Sequence, residues 1–185
     1  MKAPIKKIIG LWEMFFTRKE HLKDIEGSRY KLLKMSLHPY EGETIICKDG
    51  TSITAGDIIA ELHISNLILS SNKVGDVTIN SELQLLPIFR EEFNHLGKLA
   101  AQKKLDPRIK AIWGITLFTP GVRRMGFSVR PMKPGCQTTR LRIWMNFLKW
   151  VFPPPNIQHK HKTKSKNRQP HEFYMSINEL VEKYG

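Results

Sequence analysis

Polar residues recur within a mostly apolar run at 60–69, AELHISNLIL. Successive side chains of a β-strand point to opposite faces, so this alternation predicts a strand with one apolar face and one polar face. Glu61 and His63 share the polar face. Asn66 has the opposite parity, and we expect it to end the strand, where its side chain can cap a turn.

A second alternating run, Tyr30–Tyr40, predicts a neighbouring strand on which Ser36 and His38 share one face. If both strands lie in one sheet, that face also carries Glu61 and His63. Residues i and i+2 of a strand are roughly 7 Å apart, so Glu61 can orient or charge His63 directly or through water. His63, Glu61 and His38 are therefore candidate catalytic residues for acid–base chemistry. The alternative interpretation is a solvated outer sheet face.

The remaining patterns predict an α+β fold. Asp49-Gly50 indicates a hairpin, and 80–104 has the apolar spacing of a helix that Ser81 can cap. Further elements are predicted in the second half of the chain: a strand at 109–118, a turn at 119–121, a strand at 122–132, a helix at 138–152 and, after the S-x-x-E capping box at 176–179, a last short helix. We therefore expect a single α+β domain over 28–185, preceded by an N-terminal helix within 1–27, with a mostly antiparallel sheet of about five strands and three to four helices.

The predicted strand 122–132, VRRMGFSVRPM, would add Arg124, Ser128 and Arg130 to the polar face, where Gly126 opens space. Either arginine can hold an anion there through charge-assisted hydrogen bonds. Arg124, Arg130 and Ser36 are thus candidate ligand-binding residues. Nothing in the sequence predicts a metal site or a cofactor, because the two cysteines are far apart and no H-x-x-x-H motif occurs.

The positive charge of the chain is concentrated in one block. The whole chain has 30 Lys and Arg and 17 Asp and Glu, a net charge of +13. The segment 107–171 contains 14 of the basic residues and no acidic residue, which leaves 16 basic and 17 acidic residues elsewhere. Such a block predicts a polyanionic partner: an anionic membrane surface, an acidic polymer or nucleic acid. Nucleic acid is the less favoured of these, because no helix-turn-helix, RNP or zinc-finger pattern is present.

Two aromatic segments with flanking cations favour the membrane surface. The first is an amphipathic helix predicted within residues 1–27, and the second is the predicted helix 138–152, which is followed by three prolines and a polar basic loop at about 156–170. Both have the composition of interfacial helices, although the second also suits a core helix. The candidate membrane-surface residues are Trp12, Phe15, Arg140, Arg142, Trp144, Lys149 and Trp150.

The same composition predicts a cytoplasmic protein. The segment 1–16 resembles a signal peptide, but Glu13 interrupts its apolar run and no small-residue cleavage site follows. No run approaches the roughly 20 apolar residues that span a bilayer. We expect a protein that can associate peripherally with the inner face of the cell membrane.

Several motifs together resemble the bacterial YkoP-like domain family. They are LHPY, the DG hairpin, GD-x-I-x-E-L-H-x-x-N and the glycine of RRMGF, within 30–185. This domain occurs alone or fused to polysaccharide deacetylase domains, so the resemblance implies Gram-positive bacteria and work on envelope polysaccharide or glycolipid. It also implies that Asp57 and Asn66 belong to the family pattern together with Glu61 and His63, and both are candidate ligand-binding residues. It implies no particular reaction.

Three functions remain open from the sequence. The leading hypothesis is a membrane-surface binding or accessory protein of cell-envelope metabolism, with an anionic membrane or lipid-linked glycan as ligand and envelope polysaccharide enzymes as partners. The second is a small transferase or hydrolase with His63 as general base, Glu61 as its partner and Arg124 as anion clamp. The third is a nonspecific nucleic-acid binder that uses the segment 107–171.

Overall fold

The computed structural model describes residues 17–18, 20–65, 73–79, 84–116, 119–132 and 170–185. These residues form ten strands and three helices. The strands are β1 (Lys23–Asp24), β2 (Leu33–Pro39), β3 (Ile45–Ile46), β4 (Ser52–Ile53), β5 (Ile58–Ile64), β6 (Lys73–Val74), β7 (Val77–Thr78), β8 (Ala111–Thr116), β9 (Ser128–Pro131) and β10 (His171–Ser176). The helices are α1 (Leu85–Ala101), α2 (Thr119–Arg124) and α3 (Ile177–Tyr184).

The main sheet has six strands in the order β1-β2-β5-β8-β10-β9. All neighbouring pairs are antiparallel except β5 and β8, which are parallel. Parallel neighbours need a long crossover, and α1 lies in the chain between β5 and β8. The pairs β3–β4 and β6–β7 form two small separate sheets. The predicted α+β domain with a mostly antiparallel sheet is confirmed.

One face of the sheet carries the main core. Leu62, Ile112 and Met175 belong to one buried cluster with Phe93 of α1 and Leu180 of α3. Helices α1 and α3 therefore cover this face. Removing such side chains from water stabilises the fold by roughly 25 cal/mol for each Å² of apolar surface buried.

The opposite face of the sheet is covered at one end by the β3–β4 hairpin. Ile45 and Ile53 of the hairpin pack with Tyr40, Ile59 and Tyr174 in a second buried cluster. The predicted Asp49-Gly50 turn closes this hairpin, and Gly50 has the positive φ (84°) that such a turn requires. Beyond the hairpin, the described residues of this face include polar side chains of β2 and β5.

The N-terminal ends of α1 and α3 differ in how they are capped. The capping box predicted at the start of α3 is present: the Glu179 N–H donates to Ser176 Oγ, and the Ser176 N–H donates to the Glu179 carboxylate. Helix α1 begins at Leu85, later than the predicted start at residue 80, and Pro87 lies in its first turn, where the missing N–H costs nothing. Ser81 lies outside the described residues.

The prediction of a continuous strand over 122–132 is wrong in its first half. Thr119–Arg124, predicted as a turn followed by strand, forms helix α2, and only Ser128–Pro131 forms a strand. Pro120 fits the first turn of a helix, and Val122 supplies an apolar contact to the main core. Gly126, with φ of 89°, makes the reversal between α2 and β9.

Candidate functional site

The polar face predicted from strand alternation exists. Ser36 of β2 lies opposite Glu61 of β5, and Glu61 is the neighbour of Trp113 on β8. Trp113 in turn lies opposite Tyr174 of β10. Paired residues of adjacent strands point to the same side of a sheet. These side chains therefore form a row across the face that the helices α1 and α3 leave uncovered.

Glu61 lies between two imidazoles. Its Oε2 is 2.7 Å from Nε2 of His38, and its Oε1 is 3.2 Å from Nε2 of His63. The strand register explains this arrangement: His38 is two positions from Ser36 on β2, and His63 is two positions from Glu61 in the other direction. The predicted grouping of Ser36, His38, Glu61 and His63 on one face is thus correct.

The two contacts of the His38 ring nitrogens favour the charged form of this side chain. Its Nδ1 is 2.9 Å from the Pro39 carbonyl oxygen, and its Nε2 faces the Glu61 carboxylate. Both partners are acceptors, and only the doubly protonated imidazolium has a donor on each ring nitrogen. Burial alone would lower the pKa of His38, but the Pro39 carbonyl and the Glu61 carboxylate outweigh it, so this pKa lies above its usual value.

The pKa of the Glu61 carboxyl group is shifted in the opposite direction to the pKa of His38. Burial acts to raise the pKa of Glu61, but the contacts with His63 and His38 outweigh burial, so this pKa lies below its usual value. The side chain of Glu61 is 21% exposed and that of His63 is 23% exposed. The pair of Glu61 and His38 is therefore partly shielded from solvent, and the Nε2 atom of His63 behind it is buried.

A second carboxylate, Glu172 of β10, lies on the other side of Trp113. The Trp113 indole Nε1 is 3.5 Å from Glu172 Oε2, and Arg130 of β9 donates from Nε to the same oxygen at 2.9 Å. Arg130 also donates to the Tyr40 hydroxyl at 2.7 Å. The indole packs edge-on against two rings, with centroid distances of 6.5 Å to His38 and 6.4 Å to Tyr40. Trp113 thus sits between two carboxylates: Glu61, which contacts two imidazoles, and Glu172, which pairs with Arg130.

The two arginines predicted to bind an anion have different positions. Arg130 lies on the polar face, as predicted, but its guanidinium pairs with Glu172. Arg124 is not a strand residue of that face, because it ends the helix α2, where it is exposed. The strand alternation from which a clamp by Arg124 over Glu61 and His63 was predicted is therefore wrong, and the clamp itself stays a prediction. Ser128 does lie on the face, opposite Tyr174.

Asp57 has a local structural role. Its Oδ2 accepts hydrogen bonds from the Thr54 N–H at 2.7 Å and from Lys110 Nζ at 2.8 Å. The hydrogen bond from Lys110 is the main reason that the pKa of Asp57 lies below its usual value. These contacts close the turn at Gly56 and tie it to the segment before β8. Asn66, the other residue of the family pattern, lies outside the described residues.

A second acidic cluster lies at the start of α3. Cys47, Asp49 and Glu179 bring one potential ligand atom each within 4.8 Å of one another. The Ser176 hydroxyl donates to Asp49 at 2.6 Å, and the Asp49 N–H donates to Glu179 at 3.0 Å. Burial is the main cause that raises the pKa of the Cys47 thiol to about 12, which disfavours the thiolate that binds metal. The cluster serves as the cap that joins the β3–β4 hairpin to α3.

Trp113, Glu172 and Tyr40 are site residues that the sequence analysis did not identify. The two-residue period of their strands is visible in the sequence: Trp113 alternates with Gly114, and Glu172 and Tyr174 alternate with Phe173 and Met175. The alternation along a strand shows which of its residues share a face, but it does not show which strands are neighbours. Only the strand order, in which β8 and β10 follow β5, places them beside Glu61.

The predicted membrane-surface residues lie in 1–16 and 133–169, outside the described residues, and they stay predictions. Among the described helices, none combines the length and the apolar composition that a bilayer crossing requires.

Comparisons with known proteins agree with the motif resemblance. The family described as "YkoP domain" matches residues 2–184. A curated protein of Bacillus subtilis (strain 168), "Uncharacterized protein YkoP", is 28% identical over 164 residues, which cover 84% of each chain. No solved structure shows significant similarity. The match to the family extends over nearly the whole chain, including the segment before residue 30, and the chain therefore belongs to the YkoP domain family.

Proposed function

We propose that this chain is a membrane-surface binding or accessory protein of cell-envelope polysaccharide or glycolipid metabolism, and that the polar sheet face holds the glycan. The observation that carries the proposal is Trp113 between Glu61 and Glu172. An indole offers a flat apolar surface on which the ring of a sugar can stack. The two carboxylates offer acceptors for its hydroxyl groups, and hydrogen bonds to charged groups are the stronger ones.

The cations around this row support an anionic glycan rather than a neutral one. His38 and Arg130 are both held on the face by carboxylates, and each has part of its side chain exposed. An acidic sugar such as muramic acid can place its carboxylate next to either cation. The basic segment 107–171 supports the same conclusion on a larger scale, because it would draw the protein to an anionic envelope surface.

The test is a calorimetric titration with a soluble fragment of the peptidoglycan glycan strand. We expect saturable binding, retained in part by Trp113→Phe and weakened about tenfold or more by Trp113→Ala, since a stacked ring is removed. Glu61→Gln should also weaken binding. Glu91→Gln is the matched control, because Glu91 lies on α1, on the other side of the sheet, and is half exposed.

Two results would contradict the proposal for the sheet face. One is the absence of binding to any envelope glycan tested. The other is binding that Trp113→Ala and Glu91→Gln affect equally. Thermal unfolding of each variant separates lost binding from lost folding.

The second candidate function is a transferase or hydrolase that uses the pair Glu61–His63. It is favoured by the 3.2 Å contact between the two side chains. It is weakened by the helical position of Arg124, which removes the strand alternation behind the predicted clamp, and by His38, whose ring nitrogens both face acceptors. Turnover of the same glycan that disappears in His63→Ala, while Trp113→Phe still binds, would favour this candidate over a binding protein. Tight binding of duplex DNA at physiological salt would instead favour the nucleic-acid hypothesis.

A further inference from the structure

Two lysine ammonium groups from distant parts of the chain meet at Gly126. Lys48, in the β3–β4 hairpin, donates a hydrogen bond to the Gly126 carbonyl. Lys183, in the last turn of α3, lies against the Gly126 Cα, where the Cβ of any other residue would overlap its ammonium group. The absence of a side chain at 126 therefore leaves room for Lys183 beside the turn whose carbonyl oxygen Lys48 binds.

Two arginines precede this turn directly. Arg123 and Arg124 end α2, both are exposed, and the Gly126 N–H donates to the Arg123 carbonyl at 2.9 Å. Within the described part of the chain, no carboxylate forms an ion pair with Lys48, Arg123, Arg124 or Lys183. We call these four residues the Gly126 cluster.

Asp49 and Glu179, which join the β3–β4 hairpin to α3, accept hydrogen bonds from neutral donors rather than from the four cations. Asp49 accepts from Ser176 and Thr51, and Glu179 accepts from the N–H groups of Ser176 and Asp49. Glu182 is exposed and precedes Lys183 in the chain. Like charges brought together repel one another, and a bound anion would reverse that effect. The Gly126 cluster therefore has the composition of an anion-binding surface contributed by three separate elements.

We propose that the Gly126 cluster binds the phosphate diester of an anionic lipid headgroup and so orients the protein on the membrane. This inference rests on the proposed function at a membrane surface. Long, exposed lysine and arginine side chains suit a layer of headgroups, because each basic residue near an anionic surface adds its own attraction. It also gives Arg124 a binding role on a surface different from the one predicted.

The experiment measures binding of the full chain to vesicles of phosphatidylcholine alone and of an equimolar mixture with phosphatidylglycerol. The test variants are Lys183→Gln and the double variant Arg123→Gln/Arg124→Gln. The matched control is Lys103→Gln/Lys104→Gln, which removes two exposed charges at the end of α1. Each charge removed from the Gly126 cluster should weaken binding to the anionic vesicles about fivefold, whereas the control should stay within about twofold of the wild type.

The vesicle experiment has three negative outcomes, and each contradicts a different part of the proposal. Binding to anionic vesicles that the test variants weaken no more than the control would overturn this inference alone. No binding of the wild type to anionic vesicles would overturn it together with the membrane part of the proposed function. A saturable response to soluble glycerol phosphate without vesicle binding would show that the anion is a free phosphate and would overturn the assignment to lipid.

Discussion

Replacing Glu61 by glutamine removes the negative charge that holds His38 and His63 and leaves the shape of the side chain nearly unchanged. Hydrogen bonds to charged groups contribute about 1.5–3 kcal/mol each, whereas exposed ion pairs contribute about 0–1 kcal/mol. The His38 side chain is 38% exposed, so its pair with Glu61 falls towards the lower range. We therefore expect Glu61→Gln to lower the free energy of unfolding by about 1–2 kcal/mol when the pair is fully charged.

The pH dependence of this loss follows from the two pKa shifts. The pKa of Glu61 is lowered by folding, so its contribution is present above the unfolded value, about 4.3, and is lost as the pH falls through the folded pKa. The pKa of His38 is raised by folding, so its contribution is complete below about 6.5 and is lost as the pH rises through the folded pKa. The difference between the two proteins should therefore be largest between about pH 4.5 and 6.5.

Above this pH window, the loss of unfolding free energy caused by Glu61→Gln should become smaller. A neutral His38 that donates from Nδ1 to Pro39 presents its Nε2 lone pair to the carboxylate, whereas the amide of a glutamine can donate to that nitrogen. Urea unfolding from pH 4 to pH 8 measures the difference, with the exposed Glu182→Gln as control. A loss that is constant across this range, or equal in the two variants, would refute the assignment of a charged His38–Glu61 pair.

Three further predictions concern the fold that supports the site. Ser176→Ala removes the capping box of α3 and the hydroxyl that donates to Asp49, and it should cost about 0.5–2 kcal/mol in urea unfolding. Gly97→Ala gains up to about 1 kcal/mol of helix propensity, but its Cβ would lie 2.6 Å from the Tyr184 backbone, so we expect a net loss and a lower Tm. Glu92→Ala leaves the buried Ser28 hydroxyl and the Tyr30 N–H without their acceptor and should cost about 1–3 kcal/mol, measured in the same way; an unchanged stability in any of the three would contradict the contact concerned.

Local patterns predicted the strands of the polar face well. The alternation around Glu61 and in 30–40 gave β5 and β2 and the shared face of their polar residues, because the two-residue period of a strand is a local property. The capping box at Ser176 and the turn at Gly50 are local for the same reason. Each depends on a few adjacent side chains rather than on the rest of the fold.

Features that depend on long-range pairing could not be predicted in the same way. The neighbourhood of Glu61 and Trp113 depends on the parallel pairing of β5 with β8 across α1, and no local pattern specifies it. The run that includes Arg124 alternates like a strand, yet the packing of Val122 into the core and the conformation of Gly126 favour a helix before the turn. Arg124 therefore lies away from the site, whereas Arg130 lies within it and is paired.

Binding of a glycan to the polar sheet face can be observed directly by an NMR titration that follows the Trp113 indole N–H while the peptidoglycan glycan fragment is added. If the polar sheet face holds the glycan, the Trp113 signal and the ring signals of His38 and His63 should shift together and saturate at the calorimetric dissociation constant. Saturable binding that leaves these three side chains unchanged, and shifts only signals elsewhere in the chain, would contradict the assignment of the site.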